Sequence, residues 1–191
     1  MKSPIVILTA LESELNSQSL GQGIPVLYSG IGKVNAAIAT FRAIQRYEPQ
    51  LILNFGTVGR INAAVSGLVQ VSKVIQRDMI AEPLAPRGTV PFSSKPNEYY
   101  SGDEGSVCGT GDSFVIEQDE WLLRNQVDVV DMELFAIASV AHEHGIAWKS
   151  FKFISDDANE DSVHEWQKKV NHGEALFLKK LEVLKKLVSG F

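Results

Sequence analysis

Four carboxylates stand where runs of different character meet. Glu12 and Glu14 follow the apolar run Ile5–Thr9, Glu133 follows a β-branched run at 127–130, and Asp156 follows a second apolar run at 148–154. Acids at the ends of buried strands are placed to meet in a pocket. There an ionised carboxylate holds hydroxyl groups, and a protonated one delivers a proton. Residues 129–157 carry two of these acids on one strand–helix–strand unit. Asp131, Met132 and Glu133 close the first strand and open the helix; Ala136, Ile137, Val140 and Ala141 form one apolar stripe, and Gly145 supplies the stop. In a parallel unit both strands finish on the edge of the sheet where ligands bind. Glu133 and Asp156 are therefore expected to converge. Asp131 reads more simply as a helix cap. Glu12 and Glu14 have a plainer reading too, as the solvated first turn of a helix.

Glycine-rich turns are the second kind of candidate. Gly30-Ile31-Gly32-Lys33-Val34 sits between a short strand at 26–29 and a helix, but it is not a nucleotide loop. A P-loop needs glycine where Leu27 stands and a hydroxyl where Val34 stands. Its glycines are expected to allow a tight turn and close packing. After a strand at 51–54, Gly56 and Gly59 read as a turn whose backbone N–H groups face inward. Thr110 to Val115 form a further turn, in which Phe114 is either a core plug or an aromatic platform; the residue alone favours the core. His142, His144, His164 and His172 do not have metal-ligand spacing, and neither a metal nor a cofactor is expected.

These groups are carried by an alternation of strands and helices, which predicts an α/β fold in one domain, residues 1–191. Strands are expected at Ile5–Thr9, 26–29, 51–54, 68–75 and 106–109. A helix with Val34, Ala37, Ile38, Phe41 and Ile44 on its apolar face should end before Pro49. A long helix is expected from Ser162, opened by a capping box and packed through Phe177, Leu181, Leu184 and Val188. Residues 77–96 contain four prolines and read as an ordered surface loop, a lid or partner contact. The net charge of −5 without a basic tract argues against nucleic acid or an acidic membrane as partner. The lone Cys108 fits a reducing compartment, and the N-terminal apolar run is short for a signal peptide. A cytoplasmic protein is expected.

Six of these elements, in order along nearly the whole chain, resemble the methylthioadenosine/S-adenosylhomocysteine nucleosidases of the nucleoside phosphorylase/nucleosidase superfamily. Ala10-Leu11-Glu12-Ser13-Glu14 resembles A-M-E-x-E, and Ser29-Gly30-Ile31-Gly32-Lys33-Val34-Asn35-Ala36-Ala37 resembles S-G-I-G-K-x-N-A-A. Asn54-Phe55-Gly56-Thr57-Val58-Gly59 is similar to N-T-G-x-A-G, and Gly111-Asp112-Ser113-Phe114 to G-D-x-F. Asp131-Met132-Glu133 and Ile154-Ser155-Asp156 are similar to x-M-E and I-S-D. The resemblance implies a three-layer α/β/α sandwich around a central mixed sheet, a purine nucleoside as small-molecule ligand, and a homodimer.

It also implies roles. Cleaving an N-ribosidic bond builds positive charge on the sugar and negative charge on the departing base, so base, sugar and nucleophile must each be served. Asp156 would donate a proton to purine N7, Glu133 would accept hydrogen bonds from the ribose hydroxyls, and Glu14 would activate water with Glu12 in support. Phe114 would stack on the base, the backbone at Val115 would read its edge, and Met132 would pack on the sugar. Gly56 and Thr57 belong to the same binding set. The carboxylates after the first strand would repel phosphate, which favours hydrolysis over a purine nucleoside phosphorylase. Glu14, Glu133 and Asp156 together argue against a non-catalytic nucleoside-binding homologue, which would not need a general acid. Three positions depart from the pattern: Thr57 stands for serine, Lys152 for arginine, and Arg60 for a small residue.

Overall fold

The computed structural model describes residues 2–20, 23–102, 104–117 and 119–188, with side chains to residue 185. Eight strands form one mixed sheet: β1 (Ile5–Thr9), β2 (Val26–Tyr28), β3 (Leu51–Arg60), β4 (Leu68–Gln76), β5 (Glu98–Tyr100), β6 (Ser106–Thr110), β7 (Val129–Asp131) and β8 (Ala147–Asp156). The order is β2-β1-β3-β7-β6-β4-β5, and β8 pairs with both β3 and β4. Strands β3, β7, β6, β4 and β8 therefore close into a ring. The helices are α1 (Lys33–Tyr47), α2 (Glu120–Arg124), α3 (Leu134–Glu143), α4 (Ser162–Lys169) and α5 (Glu174–Val188).

The three layers follow from strand periodicity. Along β1, Val6 and Leu8 join the core that holds α1 and α3, while Ile5 and Ile7 join the core that holds α5. Along β3, Ile52 and Val58 take the first side, and Leu53 and Phe55 the second. A strand buried on both faces must be apolar throughout, which is why β1 reads as a continuous run. Phe177 of α5 stacks on Phe55 with ring centroids 4.5 Å apart. Each such fully buried side chain contributes roughly 1.5–3 kcal/mol.

Four expectations are corrected. The glycines at 56 and 59 do not make a turn: β3 continues through them for ten residues, with a register shift against β8 between Val58 and Gly59, and neither has a positive φ. They are needed for close approach, since a Cβ on Gly59 would lie 2.8 Å from Asp156 Oδ1. Strands β7 and β8 do not form a parallel unit, because β3 pairs antiparallel with β7 and parallel with β8. The long C-terminal helix is broken between α4 and α5, where Gly173 packs against Phe153 too closely for any side chain. Its capping box does not form, because Ser162 Oγ accepts the N–H of Asn159 (2.8 Å). Phe177 and Leu181 are buried, while Val188 lies beyond the described side chains. Finally, α1 buries Ala36, Ala39, Ala43 and Ile44, but Val34 is 70% exposed and Ile38 and Phe41 nearly half. Small residues let α1 sit close to the sheet and to α3, and most of the larger apolar side chains are turned outward.

Candidate active site

The acids meet although the strands that carry them run in opposite directions. Strand β7 is only three residues long and pairs with β3 at Gly59 and Arg60, the end of β3 that lies beside Asp156 of β8. A cavity opens there, with Glu14, Asp131, Glu133 and Asp156 in its walls. Thr57, Phe114, Val115 and Met132 line it as well; Glu12 and Gly56 do not. A reverse turn, with Glu14 N–H donating to Leu11 O at 3.1 Å, buries Glu14 and leaves Glu12, two residues away, exposed. Gly56 lies behind the carboxylates: a Cβ there would sit 3.4 Å from both Glu14 Oε1 and Lys152 Nζ.

Glu14 is gripped by four donors. Thr57 N–H (2.9 Å) and Thr57 Oγ1 (2.8 Å) donate to Oε1, and Thr9 Oγ1 (3.2 Å) and Leu11 N–H (3.1 Å) donate to Oε2. An ionised carboxylate, which only accepts, satisfies all four. Asp156 is 6% exposed; Ser155 Oγ donates to its Oδ2 (2.8 Å) and Ala158 N–H to its Oδ1 (3.1 Å). Asp157 takes no part, being drawn outward to Arg60 at 2.6 Å.

Glu133 is held by the turn that failed as a nucleotide loop. Gly30 and Gly32 have positive φ, and the Gly32 N–H at the start of α1 donates to Glu133 Oε1 (2.9 Å). The next N–H, of Lys33, donates to Asp112 (2.8 Å). The helix terminus thus cradles the protein's own acids. Behind them, Lys152 pairs with Asp131 at 2.8 Å with both side chains essentially inaccessible. Asp131 does cap α3, accepting the Leu134 N–H (2.9 Å), and also accepts from Thr110 Oγ1 (2.5 Å). Burial opposes the charge on Asp131, but Lys152 and these donors outweigh it and hold its carboxyl below the usual range. Burial likewise opposes the Lys152 ammonium, and Asp131 and Glu133 outweigh it and raise its pKa. Removing either partner of such a pair leaves an uncompensated buried charge.

Glu133 is left on the unfavourable side of this arrangement. Burial, then the charge of Asp131, push its carboxyl up to about 7, against the pull of Lys152 and the Gly32 N–H. Its pKa is above the unfolded value, so the folded state binds the extra proton. Folding stability from this group is full below pH 4.5 and declines as pH rises to 7. The cost is about 3 kcal/mol. Relative to wild type, Glu133→Gln should therefore gain about that much stability between pH 4.5 and 7. Urea unfolding of both proteins across that range checks it, and parallel pH dependences would contradict it.

Phe114 is a wall rather than a core plug. It is 40% exposed, and its ring makes a T-shaped contact with Trp166, with ring centroids 6.2 Å apart. The turn that carries it is pinned by the buried Arg77, whose guanidinium donates to the carbonyls of Gly109 (3.2 Å), Gly111 (2.9 Å) and Ser113. Arg77 and Trp166 line the cavity and carry no motif that marks them in the sequence. Among the described residues no cluster of His, Cys, Asp and Glu could hold a metal ion.

A ringed mixed sheet between two helical layers, with acids on or just after β1, β7 and β8 around one cavity, defines the class of protein. Residues 16–186 match the phosphorylase superfamily. The 5′-methylthioadenosine/S-adenosylhomocysteine nucleosidase of Shewanella halifaxensis is 32% identical over 89% of this chain and 84% of its own. The chain belongs to the phosphorylase superfamily, in the family of these nucleosidases. Its fold is shared with a Helicobacter pylori MTAN mutant solved with 5′-methylthioadenosine in the active site (TM-score 0.85, 21% identity, all of both chains). The futalosine hydrolase of Helicobacter pylori superposes equally well (TM-score 0.86, 21% identity, 99% of this chain and 98% of that one).

Proposed function

We propose that this protein hydrolyses the N-ribosidic bond of a purine nucleoside of the adenine type, such as methylthioadenosine or S-adenosylhomocysteine, and releases the free base. The observation that carries this reading is Glu14, buried and fixed by four donors on the cavity that also holds Asp156 and Glu133. The bond from C1′ to the base breaks toward an oxocarbenium-like sugar. Asp156 passes its proton to purine N7, so the base leaves neutral, and Glu14 takes a proton from the water whose oxygen bonds to C1′. Glu133, in the ionised form that prevails above about pH 7, accepts the ribose 2′- and 3′-hydroxyls. Phe114 stacks on the base, the Val115 backbone reads its edge and Met132 packs on the sugar.

Phosphate is disfavoured as nucleophile because the nearby cations are engaged. Lys152 is paired with Asp131, and Arg77 is turned to backbone carbonyls. A non-catalytic binder would not need a buried carboxylate of Glu14's kind. The reading includes a cytoplasmic homodimer of one-domain chains, residues 1–191. It is supported by the free, buried Cys108, by the outward stripe Val34, Ile38 and Phe41 on α1, and by Ile80, Leu84 and Phe92 on the proline-rich loop, Phe92 being 96% exposed. No helix among the described residues is long and apolar enough to cross a membrane. The test is incubation with a panel of purine nucleosides, with and without phosphate, on a preparation also weighed by sedimentation equilibrium. Free base and free sugar in equal amounts, unaffected by phosphate, from a species of twice the chain mass are expected. No base release, or a fully active monomer, would overturn the corresponding part.

A further inference from the structure

Trp166 reaches the site from α4, the short helix that lies beyond Asp156. Its Nε1–H donates to Thr57 Oγ1 at 2.9 Å, and Thr57 Oγ1 donates to Glu14 Oε1 at 2.8 Å. The direction of this chain is forced. An indole N–H only donates, whereas a threonine hydroxyl has one proton and rotates to suit its partners. With the indole proton aimed at Oγ1, the hydroxyl must accept on that side and spend its own proton elsewhere, and Glu14 takes it. The same indole stands edge-on to Phe114. One side chain therefore touches both the aromatic wall and, through one hydroxyl, the carboxylate. We infer that Trp166 is a positioning residue: it locks the Thr57 hydroxyl so that Glu14 is held in the geometry needed to align water with the sugar. The inference rests on the hydrolytic reading of the site.

The physical consequence is specific. Without the indole donor, the Thr57 hydroxyl is free to turn its proton to water or to the ligand. Glu14 Oε1 would then keep only the Thr57 N–H as a fixed donor. With Oε2 still held by Thr9 and Leu11, the loss loosens the Oε1 side of the carboxylate, and small misplacements of a catalytic group are costly in rate. Ground-state binding should change less, because Glu133 and Met132 are untouched and an aromatic ring at 166 still backs Phe114. Packing of α4 on β8 gives Trp166 a structural role as well, so the test must separate the two.

Four proteins do so: wild type, Trp166→Phe, Thr57→Val and the double variant, each checked for folding by thermal melting. Phenylalanine keeps an aromatic ring beside Phe114 and removes the donor together with the five-membered ring that carries it. On a purine nucleoside, Trp166→Phe should lower kcat about tenfold, the worth of roughly one neutral hydrogen bond, with KM within about threefold. Thr57→Val should lose at least as much, and the double variant should be no slower than Thr57→Val alone, because both changes cut one chain. Thr57→Ser, which retains the hydroxyl, should restore most of the rate and tests the chain from its other end if Trp166→Phe does not fold. Wild-type kcat in Trp166→Phe, or losses that multiply in the double variant, would overturn the positioning role while leaving hydrolysis in place. A wild-type enzyme that releases no base would remove the hydrolytic reading, and this inference with it.

Discussion

Replacing Asp156 with asparagine should abolish base release, lowering kcat by about 10²–10⁴-fold, while the nucleoside still binds. The side chain is well placed for the change. Asp156 receives one donor at each oxygen, the Ser155 hydroxyl and the Ala158 N–H. Asparagine can turn its carbonyl to the Ala158 N–H, which cannot reverse, and its NH₂ to the Ser155 hydroxyl, which can rotate and accept. The variant should therefore fold and keep its volume beside Gly59, where there is no room for adjustment. What it loses is a proton that can be given away. An amide still donates a hydrogen bond to purine N7, so affinity for an unreactive analogue should change little. Single-turnover base release together with analogue affinity measures both effects. A variant with more than about a tenth of the wild-type rate would remove Asp156 from the proton-transfer step.

The first strand was legible in the sequence because burial on both faces demands an unbroken apolar run, as in Ile5–Thr9, whereas β3, expected to stop at 54, runs on to Arg60. The carboxylates that follow such runs were legible for the same reason. What lay between was less so. Glycine signals a turn when only neighbours in sequence are visible. At 56 and 59 it answers instead to Glu14, Lys152 and Asp156, which come from distant segments. The helical period on α1 was real, but it cannot tell a core-facing stripe from an outward one. There three alanines won the core and three larger residues were left outside. Convergence of Glu133 and Asp156 was expected from a parallel unit, and the structure reaches it by a short antiparallel strand. The pairing of Lys152 with Asp131, twenty-one positions away, has no periodic signal at all. Nor does the bond from Trp166 to Thr57, since a tryptophan in an amphipathic helix reads as packing. Local sequence reports burial and chain direction; partners across the sheet are fixed only by the closed topology.

Pairing across the sheet matters most for Glu14, which draws on the neighbouring strands β1 and β3 and the turn that follows β1. Its Oε1 faces the N–H and hydroxyl of Thr57 on β3, and its Oε2 faces the N–H of Leu11 and the hydroxyl of Thr9. A glutamine there must place its NH₂ against one of the two pairs. A hydroxyl can rotate to accept from it, but the backbone N–H in that pair cannot, so one buried donor is left facing another. Glu14→Gln should thus cost about 1–3 kcal/mol of stability in addition to its catalytic effect. The catalytic loss should be larger, about 10²–10⁴-fold in kcat, because an amide cannot take the proton of the attacking water. Binding of a substrate analogue should weaken far less, since Phe114, Met132 and Glu133 are untouched. Phosphate separates the two reactions that this fold could serve. Wild type should yield free sugar and no ribose 1-phosphate at any phosphate concentration, because four protein donors are already committed to a carboxylate where an anion would have to sit. If ribose 1-phosphate were the main product, or if Glu14→Gln turned over as fast as wild type, Glu14 would not be activating water and the cavity would have to be read as a phosphorylase site.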